Sequence, residues 1–366
     1  MSAATNARRT PGRVLVVDPA LGDQALTELA ALVSLGLTPT VNLRRVTDAG
    51  LRARIEADWE TANFDGFSEE ELGRRLEDEG RGYHALKCRA GIPLTRAVLE
   101  RATRDGLRHR LALVGRAAAG SDTFDKAAAE ELGVAIRTTP GANAAAVAEH
   151  TVALMLDALR GVSQRSGALR DGSWSTAVQE LPAGSLAGAR VGLVGSGTIA
   201  RHVAELVRAF GAEVWVCGSP RFTQHRADGW PGHRVQSLAE LLAGCDVVSV
   251  HVPATAQTEG LIAARELRLM RPDSVLINTA RASVVPEETL DQALRDPASG
   301  PRRAAVDVFE AEGAGFSSVL AKNPHCTLSP HVAGMTRSAM RTASCRIVDE
   351  FARFLEDTGL FSGGAR

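Results

Sequence analysis

Short apolar runs alternate with stretches of helical periodicity along most of the chain. The first run, Val14-Leu-Val-Val17, is followed over residues 23–35 by Leu26, Leu29, Ala30 and Val33 at the spacing of one helix face. Ala85-Leu-Lys-Cys88, Arg110-Leu-Ala-Leu-Val114 and Val134-Ala-Ile136 read as further strands, with helices over 95–102 and around Phe124, Ala128 and Leu132 between them. Strand alternating with helix predicts a parallel sheet with helices on its faces. Residues 58–82 depart from the pattern. They are acidic and rich in arginine with few apolar positions, and predict a surface insertion with one solvated helix over 68–79, whose charges are given no functional role.

Pro140-Gly-Ala-Asn143 then breaks the alternation, and a long helix of small residues is expected over 145–166. Small side chains allow close backbone approach, which marks this helix as a domain boundary and a candidate subunit interface. After a loop over 171–188 a second series begins. Its later strands are expected at Glu213-Val-Trp-Val-Cys217, Val247-Val-Ser-Val250, Val275-Leu-Ile277, Ala304-Ala-Val306 and Cys326-Thr-Leu328, as a doubly wound sheet requires. A last helix over 336–355 carries Met340, Ile347, Phe351 and Phe354 at helical spacing and is expected to cross back to the first domain.

The second series opens on Val191-Gly-Leu-Val-Gly195-Ser-Gly197-Thr-Ile-Ala200. An apolar strand ends at Gly195, and a helix with Ile199, Val203, Leu206, Val207 and Phe210 on one side starts at once. Such a turn brings free backbone N–H groups and the positive end of a helix dipole up to whatever sits above it, which suits a pyrophosphate. Gly195 allows the tight turn, Gly197 lets phosphates approach, and Ala200 keeps helix and strand close. Strand before and strand after make this a dinucleotide-binding turn.

Composition narrows the field. The chain of 366 residues is long enough for two domains with their own cores. Lys and Arg number 42 against 43 Asp and Glu, which leaves no electrostatic case for nucleic acid or an anionic membrane. The five cysteines are scattered without a C-x-x-C pair, so a disulfide framework and a metal site are not indicated, and a reduced, cytoplasmic setting is expected. Residues 1–12 are polar and lack the apolar core of a signal peptide.

Taken in order, several motifs resemble the D-specific 2-hydroxyacid dehydrogenase family over residues 86–355. They are Gly115-Arg-Ala-Ala-Ala-Gly-Ser-Asp122, Pro140 to Asn143 with Ala148-Glu149-His150, the glycine turn, His251-Val-Pro253, Asn278-Thr-Ala-Arg281, Asp307-Val-Phe-Glu-Ala-Glu312 and Ser329-Pro-His331-Val-Ala-Gly334. The resemblance implies an α/β chain of two domains. A flavodoxin-like parallel-sheet substrate domain would span 1–143, a Rossmann-type doubly wound NAD(P)-binding domain 144–334, and 335–366 would return to the first. It implies interconversion of a small 2-hydroxy acid and its 2-keto acid, in a homodimer. By similarity Arg281 binds the substrate carboxylate and polarises the 2-oxo group, His331 is the acid/base and Glu312 orients it. Amides at Ala119 and Gly120 would also hold the carboxylate. Gly195, Gly197, Thr198, Ile199, Ser219, Arg221, His251, Val252, Pro253, Thr279, Ala280, Asp307 and Gly334 would line the dinucleotide. Asp307 would meet the nicotinamide carboxamide, or else serve as a turn cap.

The residue types suit this chemistry on their own terms. Hydride delivery to a carbonyl carbon builds charge on oxygen, and an imidazolium hands over a proton readily near neutral pH. A carboxylate partner favours the charged ring, and arginine offers a planar fork matched to a carboxylate. Glu310, two residues before Glu312, is read as solvent-facing. Arg89 and Arg116, near strand ends, are candidates for a second anionic group on the substrate. Counting from Gly195, the acidic residue that selects NAD falls at Gly218, followed by Ser219 and Arg221, so NADP(H) is expected ahead of NAD. Gly313 replaces a usual proline, Ala282-Ser283 a glycine-rich pair, and Pro286 an acidic residue. The alternative from another class is a dinucleotide-sensing regulator of corepressor type on the same fold.

Overall fold

The computed structural model describes residues 12–120, 123–178, 184–218, 230–296 and 300–360. Two compact units divide the chain, Met1–Asn143 with Thr336–Arg366, and Ala144–Met335.

In the first unit β1 (Gly12–Val16), α1 (Gln24–Ser34), β2 (Leu37–Asn42), α2 (Ala49–Asp58), β3 (Glu60–Ala62), α3 (Glu69–Glu77), β4 (Ala85–Cys88), α4 (Arg96–Thr103), β5 (Leu113–Arg116), α5 (Lys126–Glu131) and β6 (Ala135–Thr138) follow one another. The strands form a six-stranded parallel sheet in the order β3-β2-β1-β4-β5-β6. Helix entrances are set by side chains that take free amides: Asp48 accepts from Leu51 N at 2.6 Å and Asp125 from Ala128 N at 2.8 Å.

Three expectations change here. Residues 58–82 are no insertion: they supply the edge strand β3 and the packed helix α3, whose Leu72 and Leu76 are buried with Leu86 and Leu99. The charges that made the stretch look solvated neutralise one another around buried Asp78, which Arg13, Arg75 and Arg81 approach at 2.7, 3.1 and 3.0 Å. Burial alone would raise the Asp78 carboxyl; the arginines hold it below its ordinary value. Helix α1 buries Ala25, Glu28, Leu29 and Leu32, leaving Ala30 and Val33 out of that buried face. The reason is polar: the Glu28 carboxylate accepts from Ala20 N, Lys87 Nζ and Ser344 Oγ, each at 2.7 Å. Arg116 is buried in β5, donating to Thr123 Oγ1 at 3.0 Å with its guanidinium over Phe124, so it is not placed as a ligand for a second anion. Arg89 is partly exposed near Asp18.

The second unit runs α6 (Ala144–Arg160), α7 (Val162–Arg170), α8 (Trp174–Val178), β7 (Arg190–Val194), α9 (Thr198–Ala209), β8 (Glu213–Cys217), β9 (His233–Arg234), α10 (Leu238–Gly244), β10 (Val247–Val250), α11 (Ala264–Leu267), β11 (Val275–Asn278), α12 (Glu287–Arg295), β12 (Arg303–Val306) and β13 (Cys326–Leu328). The seven-stranded sheet is ordered β13-β12-β11-β10-β7-β8-β9, with every pair parallel. This is the doubly wound order with one further strand at the edge. The single helix expected over 145–166 is two, because Gly161 takes a left-handed φ of 61° between the end of α6 and the start of α7. The last helix, α13 (Arg337–Thr358), belongs to the first unit and packs on α1, β5 and β6 through Ile347, Phe351 and Phe354. Among the described residues no helix is long and apolar enough to cross a membrane, and no cluster of His, Cys, Asp and Glu could hold a metal ion.

Candidate active site

The register of the second sheet aligns its strand ends. Val194 pairs with Val250 and Cys217, Val250 with Asn278, Asn278 with Val306, and Val306 with Leu328. The next residues, Gly195, His251, Thr279, Asp307 and Ser329, therefore form one row along the carboxyl edge. Ladder bonds continue through it: His251 N donates to Val194 O at 2.8 Å, Asp307 N to Asn278 O at 3.0 Å and Ser329 N to Val306 O at 2.9 Å. In open α/β sheets this edge is where ligands bind.

At the glycine turn Gly195 has φ 112°, and a Cβ there would lie 2.5 Å from the His251 carbonyl oxygen. Only glycine fits, and the close approach sets His251 and Val252 against the turn. Gly197 is the N-cap of α9 and offers no side chain to its first amides, while a Cβ on it would meet nothing within 4 Å. An uncapped helix start at Thr198 and Ile199 facing open space fits a pyrophosphate. Burial pushes the His251 imidazole down to about 4, so it is neutral at pH 7, hydrogen-bonded to Ser249 Oγ at 2.9 Å. The Pro253 carbonyl accepts from Thr258 Oγ1 at 2.5 Å.

Asn278 shapes the next loop. Its buried side chain accepts from Ala280 N at 3.0 Å and donates to Arg281 O at 2.9 Å, folding the chain so that Arg281 follows in extended backbone, with Nη1 donating to Ala280 O at 2.7 Å. Thr151 Oγ1 gives its proton to Val147 O at 2.7 Å, so Thr279 Oγ1 donates to it at 2.9 Å.

His331 Nδ1 lies 2.7 and 2.9 Å from the two oxygens of Glu312. A carboxylate accepts and does not donate, so the proton sits on Nδ1 and Nε2 is the ring nitrogen left for chemistry. Phe309 N donates to Glu312 Oε1 at 3.0 Å and fixes the carboxylate from behind. Glu310 is exposed and engaged elsewhere: its carboxylate accepts from Glu287 N at 3.4 Å, and its amide donates to Glu287 Oε1 at 2.6 Å. His331 itself has φ 51°, a left-handed conformation rare for a residue with a Cβ. Asp307 is fully buried and caps the turn that carries His331: its carboxylate accepts from Ser329 Oγ at 2.6 Å, Val332 N at 3.0 Å and Ala333 N at 2.9 Å. Gly334 lies in the turn closed by Met335 N to Val332 O at 2.8 Å.

The second unit thus gathers the glycine turn, His251, the Arg281 loop, Asp307, Glu312 and His331 on one edge. Ala119 and Gly120 belong to the first unit, past the carboxyl end of β5. Ser219 and Arg221 lie outside the described residues. Asn278, Thr151 and the side chains of His150 and Ser329 went unassigned in the sequence, although three of them stand in quoted motifs and Thr151 directly follows one.

The family model described as "D-isomer specific 2-hydroxyacid dehydrogenase, NAD binding domain" matches residues 152–333. The chain is 34% identical over 281 residues to the (S)-sulfolactate dehydrogenase of Chromohalobacter salexigens, covering 77% of this chain and 87% of that protein. It is 30% identical over 295 residues to the D-3-phosphoglycerate dehydrogenase of Methanocaldococcus jannaschii, covering 79% of this chain and 52% of that protein. Against phosphoglycerate dehydrogenases of this kind the chain spans about half their length, 52% and 51% in two archaeal cases. Among solved structures, the TT0316 protein from Thermus thermophilus aligns with a TM-score of 0.74 at 28% identity, over 94% of this chain and 97% of that one.

Proposed function

Since the chain belongs to the D-isomer specific 2-hydroxyacid dehydrogenase family, we propose that it interconverts a small 2-hydroxy acid and its 2-keto acid by hydride transfer with a nicotinamide dinucleotide. The observation that carries the reading is the His331–Glu312 pair, with both carboxylate oxygens on Nδ1, on the same strand edge as the uncapped glycine turn. When bound, the nicotinamide supplies hydride for reduction and takes it in oxidation.

The chain's own residues do the rest. In reduction His331 Nε2 gives a proton to the oxygen on which charge develops; in oxidation it takes one. Glu312 holds the ring in one orientation and stabilises its charged form. The Arg281 fork binds the substrate carboxylate and polarises the 2-oxo group. Gly195, Gly197, Thr198 and Ile199 cradle the pyrophosphate, with His251, Val252, Pro253, Thr279, Ala280 and Gly334 lining the rest of the dinucleotide. Asp307 is read as holding the His331 loop. The relatives this chain resembles are dehydrogenases and reductases, which favours the catalytic reading over a regulator.

NADP(H) is proposed ahead of NAD, because no carboxylate stands at Gly218 to repel a 2′-phosphate and Ser219 and Arg221 follow it. A homodimer is proposed on the exposed apolar side chains of α7 and α8: Val162, Leu169, Trp174 and Val178 lie open, Trp174 at 72%. All five cysteines are free, in keeping with a cytoplasmic setting. The test is a panel of 2-keto acids with NADPH and with NADH, followed by absorbance. Turnover with NADPH on at least one 2-keto acid supports the reading; a strong NADH preference removes the cofactor choice, and a silent panel removes the activity. Sedimentation of wild type against Trp174→Glu tests the dimer, which should dissociate in the variant.

A further inference from the structure

His150, on α6, reaches the turn that carries His331. Its Nε2 lies 2.9 Å from Ser329 Oγ and 3.5 Å from Asp307 Oδ1, and Ser329 Oγ lies 2.6 Å from the same Asp307 oxygen. The carboxylate has no proton to give, so the single hydroxyl proton goes to Asp307 and the hydroxyl oxygen accepts from the imidazole. That puts a proton on His150 Nε2 and gives the chain a direction, His150 to Ser329 to Asp307.

The far end of this chain grips the loop. Asp307 accepts the amides of Val332 and Ala333 as well as the Ser329 hydroxyl, so the residues on both sides of His331 are tied to one buried carboxylate. Between them His331 keeps φ 51°. A left-handed conformation is unfavourable for a residue with a Cβ and persists only where its surroundings impose it. An aliphatic side chain at position 150 could fill the same space but could not donate to Ser329, whose hydroxyl would then be free to rotate away from Asp307.

We propose that His150 is a positioning residue: through Ser329 and Asp307 it holds His331 in the left-handed turn in which its Nδ1 meets Glu312. The proposal rests on the reading of His331 as acid/base. It concerns a side chain that touches neither substrate nor dinucleotide in that reading.

The experiment compares the full chain with His150→Leu, His150→Gln, Ser329→Ala and the double variant His150→Leu with Ser329→Ala. Turnover of the best 2-keto acid is read together with hydrogen exchange at the Val332 and Ala333 amides and the melting temperature. His150→Leu should lower kcat about tenfold with KM within about twofold, because a misplaced acid is felt in the transition state. His150→Gln, which keeps an N–H donor, should recover most of the loss. The double variant should be no slower than Ser329→Ala, since both changes break one chain. Exchange at Val332 and Ala333 should quicken about tenfold in His150→Leu with the melting temperature held within a few degrees. Wild-type kcat or unchanged exchange in His150→Leu overturns the proposal, as do losses that multiply or fall wholly in KM. A wild-type chain that reduces no 2-keto acid overturns the acid/base reading, and the catalytic part of the proposal with it; the exchange data then decide separately whether His150 holds the loop.

Discussion

Replacing Glu312 by Gln isolates what the carboxylate does for His331. The amide is nearly isosteric and its oxygen can still accept from Phe309 N, which donates to Glu312 at 3.0 Å in the wild type, so the loop keeps its anchor. What disappears is the negative charge facing Nδ1 at 2.7 and 2.9 Å. A hydrogen bond to a charged partner contributes about 1.5–3 kcal/mol when screened from water. Both side chains here are partly exposed, the imidazole at 46% and the carboxylate at 38%, which brings the figure toward about 1–2 kcal/mol. At about 1.4 kcal/mol per decade that is a fall of roughly 5- to 30-fold in kcat for reduction. The assay is steady-state consumption of the reduced dinucleotide at saturating 2-keto acid, with dinucleotide affinity measured separately by fluorescence. A variant with wild-type kcat, or one whose loss lies entirely in dinucleotide affinity, refutes the assignment of Glu312.

Gly195→Ala should abolish dinucleotide binding and lower the melting temperature, because the new methyl would stand 2.5 Å from the His251 carbonyl at φ 112°; calorimetric titration showing wild-type affinity would contradict the turn's role. Leu72→Ala in α3 should cost about 2–4 kcal/mol in urea unfolding, since the side chain is fully buried; a loss under about 0.5 kcal/mol is what a solvated insertion would give. His84, lowered to about 4 by burial and then by His109 and Arg13, and His251, lowered to about 4 by burial, titrate below the ordinary 6.5. The unfolded chain therefore binds more protons between those values, so stability present above pH 6.5 is lost as the pH falls toward 4. His84→Gln should flatten that part of a stability–pH curve, and an unchanged slope would count against its neutral state.

What the sequence disclosed follows from how each element is stabilised. Strands such as Val247–Val250 and Val275–Asn278 are covered on both faces and announce themselves as apolar runs. β2 does not, because Thr40 and Asn42 are buried by hydrogen bonding: Thr40 Oγ1 donates to Glu60 at 3.2 Å, and Asn42 exchanges two bonds with the Phe64 backbone at 3.1 Å. The helix α3 is expected over 68–79, and only its packing is hidden: Arg75 pairs with Glu60, and Glu77 with Arg101 and Arg104, partners that no local pattern reveals. The break at Gly161 could have been suspected from the glycine alone, yet the residues on either side continue the helical pattern. At the site, glycine spacing and ordered motifs marked the strand edge, and resemblance rather than spacing named Arg281, Glu312 and His331. Asp307 was legible as a turn cap, but which turn it caps, and the left-handed conformation of His331 within it, depend on the pairing of β12 with β13, which a linear reading cannot supply.

His331 moves a proton to and from a 2-oxo group at a site that binds the dinucleotide independently of it. The most direct measurement is kcat on the best 2-keto acid for wild type and His331→Ala at saturating dinucleotide, alongside the dinucleotide Kd of each. In His331→Ala kcat should fall about 100-fold or more, the scale of general acid catalysis, with Kd changed by no more than about twofold. Retained turnover in His331→Ala, or a Kd that weakens in step with kcat, would contradict it.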